Sequence, residues 1–197
     1  MSIFAFSPSK PLFHHAFSGE QEQLRLMTRL LMVACGIAAL SISAHVKIPF
    51  YPVPVTMQTL VVLMIGMSYG IRLGGVTLLS YLGAGLAGAP VFAGGAGMAY
   101  MMGPTGGYLA GFFVSAIVMG MLAERGWTRH WLTTAASMIA GTAIIYLMGV
   151  SWLSTIIGFE KAVTFGLMPF LYGDALKIVI ATAAMPAAWA VLGKPKA

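Results

Sequence analysis

Long apolar runs alternate along the chain with short segments that are polar or rich in proline and glycine. Apolar runs close to the length of a bilayer's hydrocarbon core predict membrane-spanning helices. The predicted spans are 24–44, 54–69, 73–86, 103–122, 132–150 and 169–193. The pattern therefore predicts an all-α membrane protein, with one compact transmembrane domain of six helices at 24–193. A mixed polar and aromatic tail precedes it at 1–23.

Two connecting segments differ from ordinary solvated loops. Residues 45–53 belong to a stretch with three prolines in six residues, which prevents helix formation and favours an extended backbone. Residues 88–103 are rich in glycine but apolar. Non-helical backbone at a membrane has to be covered by protein or line a cavity. Both segments are therefore expected to form the wall or roof of a pocket.

Composition supports the membrane assignment and excludes other classes. The chain is 59% hydrophobic and 8% charged, against about 25% charged residues in soluble proteins. Its net charge of +6 is dispersed over short loops, so it does not indicate nucleic-acid binding. The single cysteine, Cys35, excludes an internal disulfide and a multi-cysteine metal site. We expect no cofactor and no bound metal, and we interpret His14 and His15 as part of a solvated tail.

Basic residues also predict the orientation of the spans. With the N-terminus placed in the cytoplasm, eight Lys and Arg residues fall in cytoplasmic segments and two in external segments. The cytoplasmic set is Lys10, Arg25, Arg29, Arg72, Arg125, Arg129, Lys194 and Lys196, and the external set is Lys47 and Lys161. Because basic residues concentrate in cytoplasmic loops, both termini are predicted to be cytoplasmic.

Two charged residues, Asp174 and Lys177, lie inside the sixth predicted span. A charge at the centre of a bilayer costs roughly 2.5–3.5 kcal/mol on insertion scales, so such residues are usually functional. At a spacing of i, i+3 on a helix, the carboxylate and the ammonium group are within reach of each other. They could form a structural ion pair between helices, or a polar anchor for a ligand in an otherwise apolar cavity.

The proline pattern favours the second hypothesis. Pro54, Pro104 and Pro169 precede or open three spans that enter the membrane from the same, external side. Helix N-termini carry free N–H groups and a positive dipole end, so three converging starts favour an anionic ligand group. We expect an outward-facing pocket there, with loops 45–53 and 88–103 as its roof.

Four motifs in the same order carry a resemblance to the BioY family, the biotin-specific S components of energy-coupling-factor (ECF) vitamin transporters. The motifs are Pro52-Val53-Pro54-Val55-Thr56-Met57-Gln58, Gly88-Ala89-Pro90-Val91-Phe92, Gly103-Pro104-Thr105-Gly106-Gly107-Tyr108 and Gly173-Asp174-Ala175-Leu176-Lys177. The resemblance covers roughly residues 28–192. It implies an S-component-like bundle in the cell's inner (plasma) membrane that captures biotin from outside. It also implies a transmembrane T component and a pair of cytoplasmic ABC-type ATPases as partners, with membrane lipid around the bundle.

The resemblance maps the family's acidic and basic pair on the last helix onto Asp174 and Lys177, and the predicted pocket adds the other expected contacts. The expected substrate-binding residues are Asp174, Lys177, Gln58, Thr56, Phe92, Gly94 and Tyr108. The small-residue face of the first helix maps onto Ala34 and Ala38, which are expected to contact the T component. Some family members place Asn around the vitamin, but this chain contains no Asn. Polar contacts are then expected from Gln58, Thr56, tyrosine hydroxyl groups or loop backbone.

Three alternatives remain open from the sequence. The chain could be an S component for another small vitamin or anionic metabolite, an intramembrane enzyme, or a structural membrane subunit. An enzyme should offer a nucleophile with a base, a histidine metal motif or paired carboxylates, and the apolar runs hold none of these. We therefore expect a transport protein without catalytic residues.

Overall fold

The computed structural model describes residues 22–192, most of which are helical. Within this range five helical stretches are long and apolar enough to cross a membrane. The helices are α1 (Glu22–His45), α2 (Gln58–Leu86), α3 (Gly97–Met101), α4 (Gly106–Glu124), α5 (Trp131–Ile157), α6 (Phe159–Gly166) and α7 (Met168–Leu192). A 3-10 turn, Trp127–Arg129, connects α4 to α5, and two short strands, β1 (Lys47–Ile48) and β2 (Val55–Thr56), lie between α1 and α2.

Helix α2 is a hairpin of two antiparallel segments. Its turn is Gly70, with φ 77° and ψ −176°, a conformation that is essentially restricted to glycine. A methyl group on Gly74 would lie 3.6 Å from the Cα atom of Gly66. The Gln58 side chain donates a hydrogen bond to the Tyr81 hydroxyl at 2.6 Å, although a straight helix would separate these residues by about 35 Å.

Because the α2 hairpin contributes two helices, the five long helical stretches form a bundle of six helices, as the sequence predicts. Segments 58–69 and 71–86 are the second and third predicted spans, and α1, α4, α5 and α7 are the others. The polar tail falls almost entirely on residues 1–21, which lie outside the described part of the chain.

Several predicted boundaries differ from the observed ones. The second span begins at Gln58 rather than near Pro54, because β2 pairs with β1 and holds the backbone extended up to Thr56. The fifth helix continues to Ile157 instead of ending near residue 150, and residues 159–166, which lie between two predicted spans, form a separate helix. Residues 151–168 contain no proline that would end a helix. The break between the two helices comes at Gly158, whose φ of 86° favours glycine.

Small residues bring α4 into close contact with its neighbours on both sides. A methyl group on Gly120 would lie 2.5 Å from the backbone nitrogen of Ile71, and one on Gly111 would lie 3.1 Å from the Cα atom of Ile145. Glycine at such positions allows helices to approach closely in lipid. The α4 helix is therefore packed between the α2 hairpin and α5.

The two unusual connecting segments meet at one end of the bundle. The strands β1 and β2 form an antiparallel pair, and a β-bridge between Phe92 and Gly95 tightens the loop that follows α2. The ammonium group of Lys47 donates a hydrogen bond to the Ala93 carbonyl, which ties the two segments together. The starts of α2, α4 and α7 lie beneath them, as the proline pattern predicts.

Candidate ligand-binding site

The buried pair on α7 is fully engaged by protein atoms. Asp174 and Lys177 are 3% and 5% exposed, and the Lys177 ammonium group lies 2.7 Å from the Asp174 carboxylate. Lys177 also donates to the Thr59 hydroxyl and to the Thr56 carbonyl, each at 2.7 Å. A lysine ammonium group has three N–H donors, so these three acceptors satisfy it completely.

Asp174 has further partners on two other helices. The Thr59 hydroxyl donates to its carboxylate at 3.3 Å, and the Tyr146 hydroxyl donates to its second carboxylate oxygen. The network therefore joins the start of α2, the middle of α5 and the N-terminal half of α7. Since every charge is paired and hydrogen-bonded, the burial of this pair carries no uncompensated charge.

A narrow inner cavity lies directly beside this network. The space between its lining atoms, together with open solvent at its mouth, amounts to about 490 Å³, so the enclosed part is much smaller. Its lining residues are Val53, Pro54, Thr56, Gln58, Thr59, Ala93, Tyr100, Thr105, Tyr108, Leu109, Phe112, Ile145, Tyr146 and Phe170. The network partners Thr56, Thr59 and Tyr146 face the cavity, whereas Asp174 and Lys177 lie behind them. An apolar cavity with a few converging polar groups is the usual form of a small-molecule site.

Aromatic rings form one side of the inner cavity. Tyr108 stacks on Phe170 with ring centroids 6.3 Å apart, and Tyr146 meets Phe170 edge-on at 6.1 Å. The Tyr108 hydroxyl donates to the Gly166 carbonyl at 2.8 Å, which fixes the orientation of its ring. Fixed aromatic faces suit a flat, apolar ligand body.

An outer cavity of about 760 Å³, open solvent included, adjoins the inner one. Its lining residues are Lys47, Pro49, Phe50, Pro52, Pro54, Ala93, Gly94, Ala99, Tyr100, Gly103, Pro104 and Thr105. Pro54, Ala93, Tyr100 and Thr105 line both cavities and so form the neck between them. The outer cavity is built mainly from the two loops that the sequence predicts as a roof.

The structure distributes the predicted substrate-binding residues over different positions. Thr56, Gln58 and Tyr108 line the inner cavity, and Gly94 lines the outer cavity. Phe92 is 1% exposed and lines neither of them.

Phe92 instead packs behind the cavity wall. Its ring stacks on Tyr100 at 5.3 Å and meets Tyr81 edge-on at 5.5 Å. A methyl group on Gly85 would lie 2.0 Å from the ring, so Phe92 occupies a slot that only glycine leaves open. Its position supports Tyr100, a residue that lines both cavities.

Among the residues of the site that sequence reasoning missed are Thr59 and Tyr146, which bond to Asp174, and Phe170, which packs against two tyrosines. Thr59 directly follows the predicted Gln58 and could have been found as the next polar side chain of that helix. Tyr146 is the one tyrosine in the run 132–150, and a hydroxyl group inside an apolar span is a signal of a buried polar contact. Phe170 carries no comparable signal, because phenylalanine is common in transmembrane helices.

The predicted partner face lies on α1, away from the cavities. Ala34 and Ala38 are exposed, whereas Gly36 and Leu40 of the same helix are turned toward the bundle. Within residues 22–192, no group of three or more His, Cys, Asp or Glu residues could hold a metal ion.

Sequence and fold are both similar to those of known transport proteins. The BioY family model matches residues 15–194. The biotin transporter BioY of Thermotoga maritima is 37% identical over 157 residues, which are 79% of this chain and 92% of that protein. The probable biotin transporter BioY of Pyrococcus horikoshii is 37% identical over 151 residues, 76% of this chain and 89% of that protein.

A solved structure shares the fold. The crystal structure of the S-component for biotin from an ECF-type ABC transporter matches with a TM-score of 0.74 at 24% identity, covering 85% of this chain and 94% of that chain. Because the family match extends over the whole described bundle, from before α1 to beyond α7, the chain belongs to the BioY family.

Proposed function

We propose that this protein is the biotin-binding S component of an ECF-type uptake transporter. It binds biotin from outside in the two adjoining cavities, under the roof of loops 45–53 and 88–103. The observation that carries the proposal is the buried network of Asp174, Lys177, Thr59 and Tyr146 beside a narrow aromatic cavity. The biotin transporters of the same family, at 37% identity, support the choice of ligand.

The chemistry of the inner cavity suits the parts of biotin. A ureido group needs both donors and acceptors, and Thr59, Tyr146 and Gln58 supply hydroxyl and amide groups at the cavity wall. The apolar bicyclic ring and chain suit the rings of Tyr108 and Phe170. The site should discriminate against ligands that lack the ureido group, because each buried polar group that such a ligand leaves unpaired costs about 1–3 kcal/mol.

Asp174 and Lys177 have two possible ways to act in binding. The first is indirect: through their hydrogen bonds, Asp174 and Lys177 hold the Tyr146 and Thr59 hydroxyl groups in place at the cavity wall. The second is a direct contact with the ligand. A direct contact between Lys177 and a ligand acceptor requires the ammonium group to release one of its three present acceptors. The Thr56 carbonyl and the Thr59 hydroxyl are the candidates for that exchange, because both residues line the inner cavity and Asp174 does not.

Transport then depends on partner proteins. We expect a transmembrane T component and a pair of ABC-type ATPases to drive the release of biotin into the cell. The exposed Ala34 and Ala38 face of α1 is the surface that suits close approach of a partner helix. The bundle is expected in the plasma membrane, with both termini in the cytoplasm.

The test is equilibrium binding of labelled biotin to the detergent-purified protein and its variants. Wild-type protein should bind biotin tightly and in preference to other small vitamins. Lys177→Ala should lose binding, whereas Lys161→Ala, at an exposed position on α6, should keep it. Tyr146→Phe removes one hydroxyl from the network with little change of shape, and it should weaken binding in a protein that still elutes as a folded monodisperse species. No binding by folded wild-type protein would overturn the proposal.

A further inference from the structure

The outer cavity holds the charge that the inner cavity lacks. Among the described residues that line the two cavities, Lys47 is the one with a charged side chain. The polar wall of the inner cavity consists of neutral hydroxyl, amide and backbone groups. The positive charge of Lys177 lies behind that wall and is paired with Asp174 at 2.7 Å.

Lys47 is also placed at the mouth of the site. It belongs to β1, the exposed strand of the segment between α1 and α2. Its ammonium group donates to the carbonyl of Ala93, a residue that lines both cavities. The side chain therefore reaches across the outer cavity to the neck, where a ligand must pass or remain.

The present partner of Lys47 is a neutral acceptor. The bond to the Ala93 carbonyl is charge-assisted through its donor alone. A carboxylate also carries the opposite charge, so it attracts the ammonium group more strongly and offsets the lysine charge. A flexible four-carbon side chain with rotatable donors can exchange one acceptor for another with little strain. A carboxylate in the outer cavity is thus a better partner for Lys47 than the Ala93 carbonyl.

We propose that Lys47 is the specificity-determining residue for the anionic end of the ligand. Its ammonium group leaves the Ala93 carbonyl and binds the ligand carboxylate in the outer cavity, while the uncharged part of the ligand occupies the inner cavity. The inference rests on the proposed function, because it takes biotin as the ligand. It adds that the site selects monocarboxylates over neutral ligands of the same shape.

The experiment compares biotin with biotinamide, in which a neutral carboxamide replaces the carboxylate. Dissociation constants of both ligands are measured for wild-type protein, Lys47→Met, Lys47→Gln and Lys47→Arg. Wild type should prefer biotin by roughly tenfold, the lower end for a charge-assisted hydrogen bond at a site open to water. Both neutral variants should bind the two ligands about equally, and Lys47→Arg should keep most of the preference. Lys161→Met, which removes a lysine outside both cavities, should behave like wild type.

The outcomes separate this inference from the proposed function. If wild type binds biotin but does not prefer it to biotinamide, the role of Lys47 is overturned and the proposed function stands. The same holds if Lys47→Met and Lys47→Gln keep the wild-type preference. If folded wild-type protein binds neither ligand, the proposed function is overturned, and the role of Lys47 with it.

Discussion

The ammonium group of Lys177 lies 2.7 Å from the hydroxyl of Thr59, which is 118 positions away in the chain and on another helix. The contact connects the start of α2 to α7 and continues through Asp174 to Tyr146 on α5. Three helices are thus joined at one depth by hydrogen bonds that depend on two opposite charges. This dependence makes the pair sensitive to the loss of either member.

We expect a single substitution in the pair to destabilise the protein more than the double one. Asp174→Asn or Lys177→Met alone leaves one buried charge uncompensated, which typically costs 3–5 kcal/mol. The double variant Asp174→Asn/Lys177→Met removes both charges and should retain more of the free energy of unfolding. Thermal or denaturant unfolding of the three variants in detergent measures the order. A double variant less stable than both single variants would contradict this account of the network.

Gly70→Ala should destabilise the bundle by about 1–3 kcal/mol, because residues with a side chain rarely adopt the backbone angles of the hairpin turn. The matched control is Gly83→Ala, where a methyl group would meet nothing within 4 Å. That change lies in a regular helical segment and should be neutral or stabilising by up to about 1 kcal/mol. Unfolding curves of the two variants in the same detergent give the comparison. Equal stability would show that the turn tolerates a side chain.

Gly149→Ala should impair ligand binding through Tyr108. A methyl group at position 149 would lie 2.3 Å from the Tyr108 ring, so the ring must shift into the inner cavity that it lines. Gly173→Ala is the control on α7, where a methyl group would meet nothing within 4 Å. Titration with labelled biotin should show an affinity loss of about tenfold or more for Gly149→Ala only, in line with the 1–3 kcal/mol that overpacking costs. Unchanged affinity would mean that Tyr108 does not shape the binding site.

On the proposed function, Ala34→Leu and Ala38→Leu should weaken assembly with the proposed energy-coupling module without affecting biotin binding. Larger side chains prevent close approach of a partner helix to this face of α1. Ala143→Leu places the same side chain on an exposed part of α5 and serves as the control. Co-purification with the T component and ATPases measures assembly, and biotin titration of the isolated subunit checks that the site is intact. Normal co-purification of both α1 variants would place the partner surface elsewhere.

The bundle could be predicted from sequence because apolar runs mark its helices, although several boundaries differ and the second and third helices are joined at Gly70 without a loop. The segments 45–53 and 88–103 were identifiable as parts of a pocket since apolar non-helical backbone has few other places in a membrane protein. The prediction that all of 88–103 is non-helical is wrong, because Gly97–Met101 form the short helix α3. The Asp174–Lys177 pair could be identified because both residues are charged and lie three positions apart on one helix. Local signals of this kind require no knowledge of tertiary packing.

The remaining site residues depend on which faces of distant helices meet. Thr59 contacts Asp174 across 115 positions, and nothing local to Thr59 indicates that partner. Phe92 was expected to contact the ligand, but its ring fills the slot left by Gly85 and supports Tyr100 from behind. An aromatic residue in a loop gives the same sequence signal whether it faces a cavity or lies one layer behind it.

The hairpin at Gly70 also constrains how the protein is made. Segment 58–69 rises only about 18 Å as a helix, well short of the roughly 30 Å of a bilayer's hydrocarbon core. A single glycine joins it to segment 71–86, so no loop exists that could remain on one side of the membrane while the second segment waits. The two segments therefore have to enter the bilayer together during biosynthesis, as one hydrophobic unit. They pack against each other before the neighbouring helices are inserted.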